Sequence, residues 1–198
     1  MSIPAKASQA SLRKTLRQQR EALSIDDITS HSASICQQII DHQALLNARH
    51  IAIYLPFQGE ADPTRLMTLS DAQFYLPVLT QDGSNTLRFA PYNHTTLMRS
   101  NRFGILEPVL EGLELIDNPQ QLDVVIMPMV GVDQHGNRIG MGGGFYDRTF
   151  AYKSAKHTTT PQLIAFAYDF QLLTLVEPNP WDIPADTVAT ESHFIKCQ

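Results

Sequence analysis

Residues 138–147 read Arg138-Ile139-Gly140-Met141-Gly142-Gly143-Gly144-Phe145-Tyr146-Asp147, an arginine, four glycines, an aromatic pair and an aspartate in close succession. Glycine costs backbone entropy and leaves nothing to pack, so a fold keeps such a run where the chain must turn sharply or approach something closely. Bare backbone N–H groups beside a guanidinium suit a phosphate. A carboxylate just beyond them suits the magnesium that travels with a nucleotide. The plainer alternative is a glycine-rich hairpin turn with its charges in solvent.

Other phosphate and nucleophile motifs do not fit. A dinucleotide-binding turn needs GxGxxG directly after a strand, with an acid about 20 residues on. Here roughly a dozen residues separate Pro128 from Gly140, and the glycine spacing differs. The chain has no GxxxxGK[ST] and no GxSxG, so a P-loop and a serine-hydrolase elbow are excluded.

The elements that must position this run can be read from periodicity. Leu12, Leu16 and Leu23 recur at helical spacing. Ser24-Ile25-Asp26-Asp27 signals the start of a second helix, with Ile28, Ile35 and Ile39 on its apolar face. Ile51 to Pro56 reads as a short strand ended by proline. Asp62-Pro63 opens a helix reaching about Leu69, and Phe74 to Pro77 is a strand stopped by its proline. Leu87 to Pro91 is a third strand after the Asp82-Gly83 turn, and residues 98–122 read as irregular. Asp123 to Pro128 is the clearest buried strand, and Val132 to Arg138 reads as a turn. A helix from Phe145 to about Lys156 and a buried strand at Leu163–Tyr168 follow, then a proline-broken tail through Trp181 and Asp182.

Strands alternating with helices predict an α/β fold with a mainly parallel sheet flanked by helices, in one domain over 1–198. Ligands in such sheets sit beyond the carboxyl ends of the strands. Both the glycine run and Leu55 to Glu60 lie there. No apolar run approaches the ~20 residues of a membrane span. The net charge of −5 disfavours nonspecific nucleic-acid binding. The charge is uneven: Lys6, Arg13, Lys14, Arg17 and Arg20 face Glu21 alone in the first 24 residues. That basic helix is either an ordinary solvated face or one wall of a pocket for anions. Cys36 and Cys197 form no CxxC, the start lacks a signal-peptide core, and the histidines show no metal-ligand spacing. A reducing, cytoplasmic setting follows, and we expect a monomer.

The stretch MPMVGVDQHGNRIGMGGGFYDR at 127–148 resembles the signature of the 5-formyltetrahydrofolate cyclo-ligase family. The resemblance runs over nearly the whole chain. It takes in SLRKTLRQQREALS, IAIYLPFQGEAD, NRFGILEP, AFAYDFQ and EPNPWDIPADTVATE, and the wording of GMGGGFYDRT and WDIP is similar to the bacterial branch. It implies a fold of the type shared by ribose-phosphate isomerases and CoA transferases. It also implies ATP- and magnesium-dependent cyclisation of 5-formyltetrahydrofolate to 5,10-methenyltetrahydrofolate. ATP would phosphorylate the formyl oxygen, a second ring-system nitrogen would attack the carbon, and phosphate would leave.

Carried onto this chain, the resemblance implies that Gln9, Arg13 and Arg138 through Tyr146 (Ile139, Gly140, Met141, Gly142, Gly143, Gly144 and Phe145 between them) hold ATP. Arg138 would touch the transferring phosphoryl group, and Tyr146 the formyl or a phosphate oxygen. Leu55, Glu60 and Met141 to Phe145 would border the folate, with Phe57 able to pack on its flat ring. Asp147 and Asp182 would be the magnesium ligands. The family often has a basic residue four positions before Arg13. Gln9 stands there, so either Lys6 substitutes or the nucleotide is held with one charge fewer. Asn101, Phe103-Gly104-Ile105 and Glu107-Pro108 match a family block without an evident chemical role. A non-catalytic nucleotide or folate binder on the same fold is the alternative, and a dinucleotide-dependent oxidoreductase a more distant one.

Overall fold

The computed structural model describes residues 9–80, 82–101, 104–155 and 159–197. Lys6, Phe103 and Lys156 lie outside them. Helix α1 (Gln9–Glu21) and helix α2 (Ile25–Asp41) open the chain, followed by strand β1 (His50–Ala52), helix α3 (Leu66–Leu69), and strands β2 (Gln73–Leu79) and β3 (Leu87–Tyr92). A short hairpin, β4 (Met98–Ser100) and β5 (Leu106–Pro108), and a 3₁₀ turn at Pro119–Gln121 precede β6 (Val124–Met127). Then come β7 (Gly131–Asp133), β8 (Arg138–Ile139), α4 (Phe145–Thr149), α5 (Tyr152–Ala155) and β9 (Gln162–Phe166). Strands β10 (Leu172–Leu173), β11 (Thr187–Ala189) and β12 (Phe194–Lys196) close the chain.

The main sheet has seven strands in the order β12-β11-β9-β6-β1-β2-β3. Its centre, β11, β9, β6, β1 and β2, is parallel, and both edges are antiparallel. The alternation of strands and helices predicts the parallel core, and the antiparallel edges make the sheet mixed. The central strands are apolar on both faces because each face is covered. Ile51, Ile53, Ile126, Ile164 and Phe166 pack against Ile35 and Ile39 of α2. Ala52, Val125, Met127, Leu163 and Ala165 pack on the other side against Phe150. A three-stranded sheet, β10-β7-β8, lies beneath α1, where Leu16, Val130, Ile139 and Val176 form their own cluster with Leu12 and Leu173.

Several local readings hold in detail. Ser24 caps α2: its hydroxyl accepts from the Asp27 N–H, and the Asp27 carboxylate returns to the Ser24 N–H. Asp62 Oδ1 accepts from the Thr64 N–H as a cap would, but helical geometry starts only at Leu66.

Other readings are corrected. β2 runs through Pro77 to Leu79 rather than stopping there. Pro77 lies opposite Phe89, and Phe89 sends both its N–H and its C=O to Ile116 on the far side. Pro77 thus occupies a pair that needs no ladder hydrogen bond. Residues 132–138 are not a bare turn but the two arms of the β7–β8 hairpin. The helix expected over 145–156 breaks at Phe150. There the backbone bonds shorten from Phe150 N to Tyr146 O into three-residue steps, Ala151 N to Arg148 O and Lys153 N to Phe150 O. The Thr149 hydroxyl also returns to the Phe145 carbonyl, a bond that competes with regular helix.

That hydroxyl does a second job. It accepts from the Leu87 N–H at 2.9 Å and so fastens α4, and the glycine run before it, to β3. Thr149→Val keeps the shape but strands a buried N–H. We expect a loss of about 1–3 kcal/mol, seen as a lower urea midpoint at unchanged m-value. An unmoved midpoint would show that Thr149 does not hold α4 in place.

Candidate active site

The five parallel strands point the same way, so the segments after β1, β6 and β9 meet at one end of the sheet. The phosphate-type half is built around the β7–β8 hairpin. Asp133, fully buried, shapes it by accepting from the N–H groups of His135 and Asn137 and the Asn137 amide, and it also accepts the Val176 N–H. This staple sets the direction in which Arg138 leaves the sheet.

Arg138 is nearly buried, its side chain 7% exposed, and Nη2 meets Asp147 Oδ1 at 2.5 Å. Its Nε donates to the Ile183 carbonyl at 3.0 Å, and the Ile183 N–H donates back to Asp147 Oδ1 at 3.2 Å. One residue of the carboxyl-terminal segment is thus gripped by both members of the pair. Asp182 sits next to it, holding its own turn by accepting from Asn179 through Oδ2. Burial lowers the Arg138 pKa from its ordinary value, while Asp147 first, then Tyr146 and Asp182, pull it back up. Asp147 and Asp182 are therefore neighbours across 35 residues of sequence, each with one carboxylate oxygen that accepts no hydrogen bond from the described residues.

Among the described residues, none accepts a hydrogen bond from the N–H groups of Gly140 to Gly144. Gly142 adopts φ +97, a conformation that side chains resist, and a Cβ at Gly140 or Gly142 would meet nothing within 4 Å. The loop is exposed at 141–143, and its N–H groups have no partner among the described residues. Helix α4 has only 5 residues, so the loop N–H groups, not a helix dipole, are what a phosphate would meet. Arg13 reaches it from α1, with Nε donating to the Gly140 carbonyl at 2.8 Å. Its terminal nitrogens have no hydrogen bond among the described residues. A hollow of about 340 Å³ runs along α1 past Arg13, Lys14 and Arg17. Gln9 donates to the Glu177 carbonyl at 2.8 Å, so the position that is often basic here ties α1 to the tail.

The second half follows β1. Leu55 and Phe57 are half-buried, and Glu60 is 13% exposed at its side chain. Glu60 Oε1 accepts from Arg20 Nη1 at 3.2 Å, and Oε2 accepts from the Phe57 N–H at 3.1 Å. Burial raises the Glu60 pKa, while Arg20 and the Phe57 N–H hold it down. Tyr146 joins the halves: its hydroxyl feels both Glu60 and Arg138, and burial pushes its pKa upward.

The structure thus gathers Arg13, Arg138, the glycines, Asp147 and Asp182, turns Gln9 to the Glu177 carbonyl, and leaves Tyr146 within electrostatic reach of both Glu60 and Arg138. Arg20 escaped the sequence reading. It was one charge among several, yet it stands four after Leu16 and three before Leu23, inside the apolar stripe of α1. A charge in that stripe was the available signal. A separate hollow of about 560 Å³, lined by Leu45, Leu46, Arg49 and Ala72, opens at the amino-terminal end of β1 and β2 and contains none of these residues.

The donor set fits a magnesium nucleotide. Among the described residues no cluster of three or more acids, histidines or cysteines forms a closed metal cage. Two neighbouring carboxylates with free oxygens are what magnesium uses when phosphates and water supply the rest.

The model of the 5-formyltetrahydrofolate cyclo-ligase family matches residues 5–191. The chain is 33% identical over 180 residues to the 5-formyltetrahydrofolate cyclo-ligase of Escherichia coli (strain K12), covering 89% of this chain and 97% of that protein. It is 33% identical over 160 residues to the Haemophilus influenzae enzyme of the same name, covering 79% of this chain and 80% of that protein. The solution structure of Aquifex aeolicus 5,10-methenyltetrahydrofolate synthetase superposes with a TM-score of 0.78 at 27% identity, over 96% of this chain and 93% of that one. A Mycoplasma pneumoniae 5,10-methenyltetrahydrofolate synthetase gives 0.71 at 21% identity, over 93% and 99%, a likeness of fold alone.

The two aspartates should differ in what they hold. Asp147→Ala leaves the Arg138 guanidinium buried and unpaired, for an expected loss of about 3 kcal/mol. Asp182→Ala removes only a turn and should cost about 1 kcal/mol or less. Urea unfolding of both variants checks this, and equal small losses would show that the Arg138–Asp147 pair does not hold the site together.

Proposed function

The chain belongs to the 5-formyltetrahydrofolate cyclo-ligase family, and from that premise we propose that it uses ATP and magnesium to close 5-formyltetrahydrofolate into 5,10-methenyltetrahydrofolate. The observation that carries this is the meeting of Arg13, Arg138, Asp147 and Asp182 around a glycine loop whose N–H groups have no partner among the described residues. A formyl oxygen on nitrogen is a poor leaving group, and phosphorylation makes it a good one. The oxygen takes the terminal phosphoryl group of ATP and ADP departs. The second nitrogen then attacks the formyl carbon, its proton is lost, and phosphate leaves with the oxygen.

Phosphoryl transfer asks a protein mainly for position and charge. The glycine N–H groups and Arg13 hold the phosphates. Arg138, pre-set by Ile183 and Asp147, faces the transferring group. Magnesium, held by Asp147 and Asp182, would shield the phosphate charge. Leu55 and Phe57 give the folate ring an apolar border, and Glu60 accepts from the amino and N–H groups of its pterin. Tyr146, kept protonated by burial, is a donor between the two substrates. We read residues 1–198 as one such unit, acting as a monomer in a reducing cytoplasm. Its sheet is of the ribose-phosphate isomerase and CoA transferase type, a reading supported by the parallel centre. Among the described residues no helix is long and apolar enough to cross a membrane.

The near-ultraviolet absorbance of the methenyl product tests this directly. It should rise only when protein, 5-formyltetrahydrofolate, ATP and magnesium are all present. No rise from a folded protein that still binds ATP would favour the non-catalytic binder instead. Arg138→Lys keeps the charge but loses the planar fork to Ile183 and Asp147, and kcat should fall by about 10³-fold or more. Near-normal turnover would remove Arg138 from this role. Gln9→Lys should lower the KM for ATP with kcat little changed. An unmoved KM would mean that the nucleotide does not lack a charge there.

A further inference from the structure

We propose that Arg20 is the positioning residue of the folate end of the site, pairing with the Glu60 carboxylate and aiming it at the pterin. The proposal rests on the cyclo-ligase reading and adds to it a residue with no place in the phosphate chemistry.

Arg20 is 1% exposed, a guanidinium sealed inside the apolar stripe of α1. Nε donates to the Gln58 carbonyl at 3.0 Å and Nη1 to Glu60 Oε1 at 3.2 Å. Nη2 is enclosed with no partner among the described residues. A buried donor left unpaired is costly, and its persistence calls for a reason. Stability is a poor one, since buried ion pairs seldom out-compete apolar packing.

The segment 57–60 is clamped around this guanidinium. A Cβ at Gly59 would lie 2.7 Å from the Arg20 carbonyl, and Gly59 has φ +75, so only glycine allows the loop to lie this close to α1. The Tyr168 hydroxyl donates to the Gly59 carbonyl at 3.1 Å from the other side. Glu60 emerges with one donor on each oxygen. A carboxylate has about four acceptor positions, so about two remain for a ligand with paired donors. The pterin edge, with an amino group beside an N–H, is such a ligand.

Arg13 and Arg20 lie seven residues, close to two turns, apart on α1, about 10 Å along its axis. One grips the glycine loop and the other the Glu60 loop. A single rigid helix therefore sets the spacing of the two substrate loops.

Glu60 is faced by Arg20 from α1, Tyr54 beyond β1, Tyr146 of α4 and Tyr168 beyond β9. Burial pushes all three phenols upward, Tyr168 to about 12, so they stay neutral. Arg20 is the cation of this set, and burial alone drives Glu60 toward its neutral form. Folate binding that needs the carboxylate is lost as pH falls through the Glu60 pKa. Without Arg20 that pKa rises, and binding is lost at a higher pH.

Titration calorimetry on the full-length protein, with 5-formyltetrahydrofolate alone and magnesium-ATP alone, tests this between about pH 5.5 and 8.5. For Arg20→Met we expect folate Kd at neutral pH to rise about tenfold or more, its acid limb to move to higher pH, and ATP Kd to change less than about threefold. For Arg20→Lys, which keeps the charge and is the variant to rely on if the methionine protein does not fold, the limb should stay while Kd still rises. Unchanged folate Kd and limb in either folded variant, or equal losses for folate and ATP, would overturn the role. A wild-type protein that does not bind the folate would overturn the cyclo-ligase reading itself, and that is visible before any variant is made.

Discussion

Ile183 gives its N–H to Asp147 and its C=O to Arg138, and those two side chains are paired with each other. Remove that closed triangle and three pieces of chain lose their common reference: the β7–β8 hairpin, the start of α4, and the tail that carries Asp182. Neither charge tolerates burial unpartnered. In the free protein each is neutralised by the other. On the proposed reading, a magnesium nucleotide offers a replacement for both partners, phosphate for Arg138 and cation for Asp147. The site can therefore change occupants while its local charge stays balanced, which suits chemistry that depends on electrostatic preorganisation.

Helix α1 supplies the second frame. Leu12 and Leu16 dock it on the small sheet, while Arg13 and Arg20 extend to the glycine loop and the Glu60 loop. Because the arginines share a helix with the leucines that anchor it, the apolar packing also sets where the charges stand. A surface helix rich in basic residues would ordinarily be read as solvated. Here one of its charges is among the most buried groups in the protein.

The legible parts of the fold were those where local physics and tertiary context agree. Ser24 caps α2 because the capping box is a local device. Asp123 to Pro128 is a central strand because an unbroken apolar run is stable only with both faces covered. The failures came where a long-range partner changes a local rule. Pro77 stays inside β2 because Phe89 already bonds to Ile116, which no sequence window contains. Residues 132–138 form a hairpin because Asp133 is buried and saturated by donors up to 43 residues away. The glycine run, Arg138 and the acids were legible as a set because their residue types are costly to keep without a use. Arg20 was not, since its meaning depends on Gln58 and Glu60 being brought to it.

Glu60 shows the conflict between stability and function most directly. Its pKa in the folded chain lies above the ordinary 4.5. A carboxyl raised in this way contributes stability below its unfolded pKa and loses it as pH rises through the folded value. Whenever it is ionised, Glu60 is a cost to the fold. Burial is the largest cause and Arg20 the largest offset. An asparagine or glutamine would fill the space without that cost, but would present an amide in place of paired acceptors. The chain keeps instead a desolvated carboxylate and a still more deeply buried cation, with one guanidinium nitrogen unbonded among the described residues. That combination is unfavourable for folding alone, and it becomes reasonable when the free lone pairs of Glu60 are what a ligand must find.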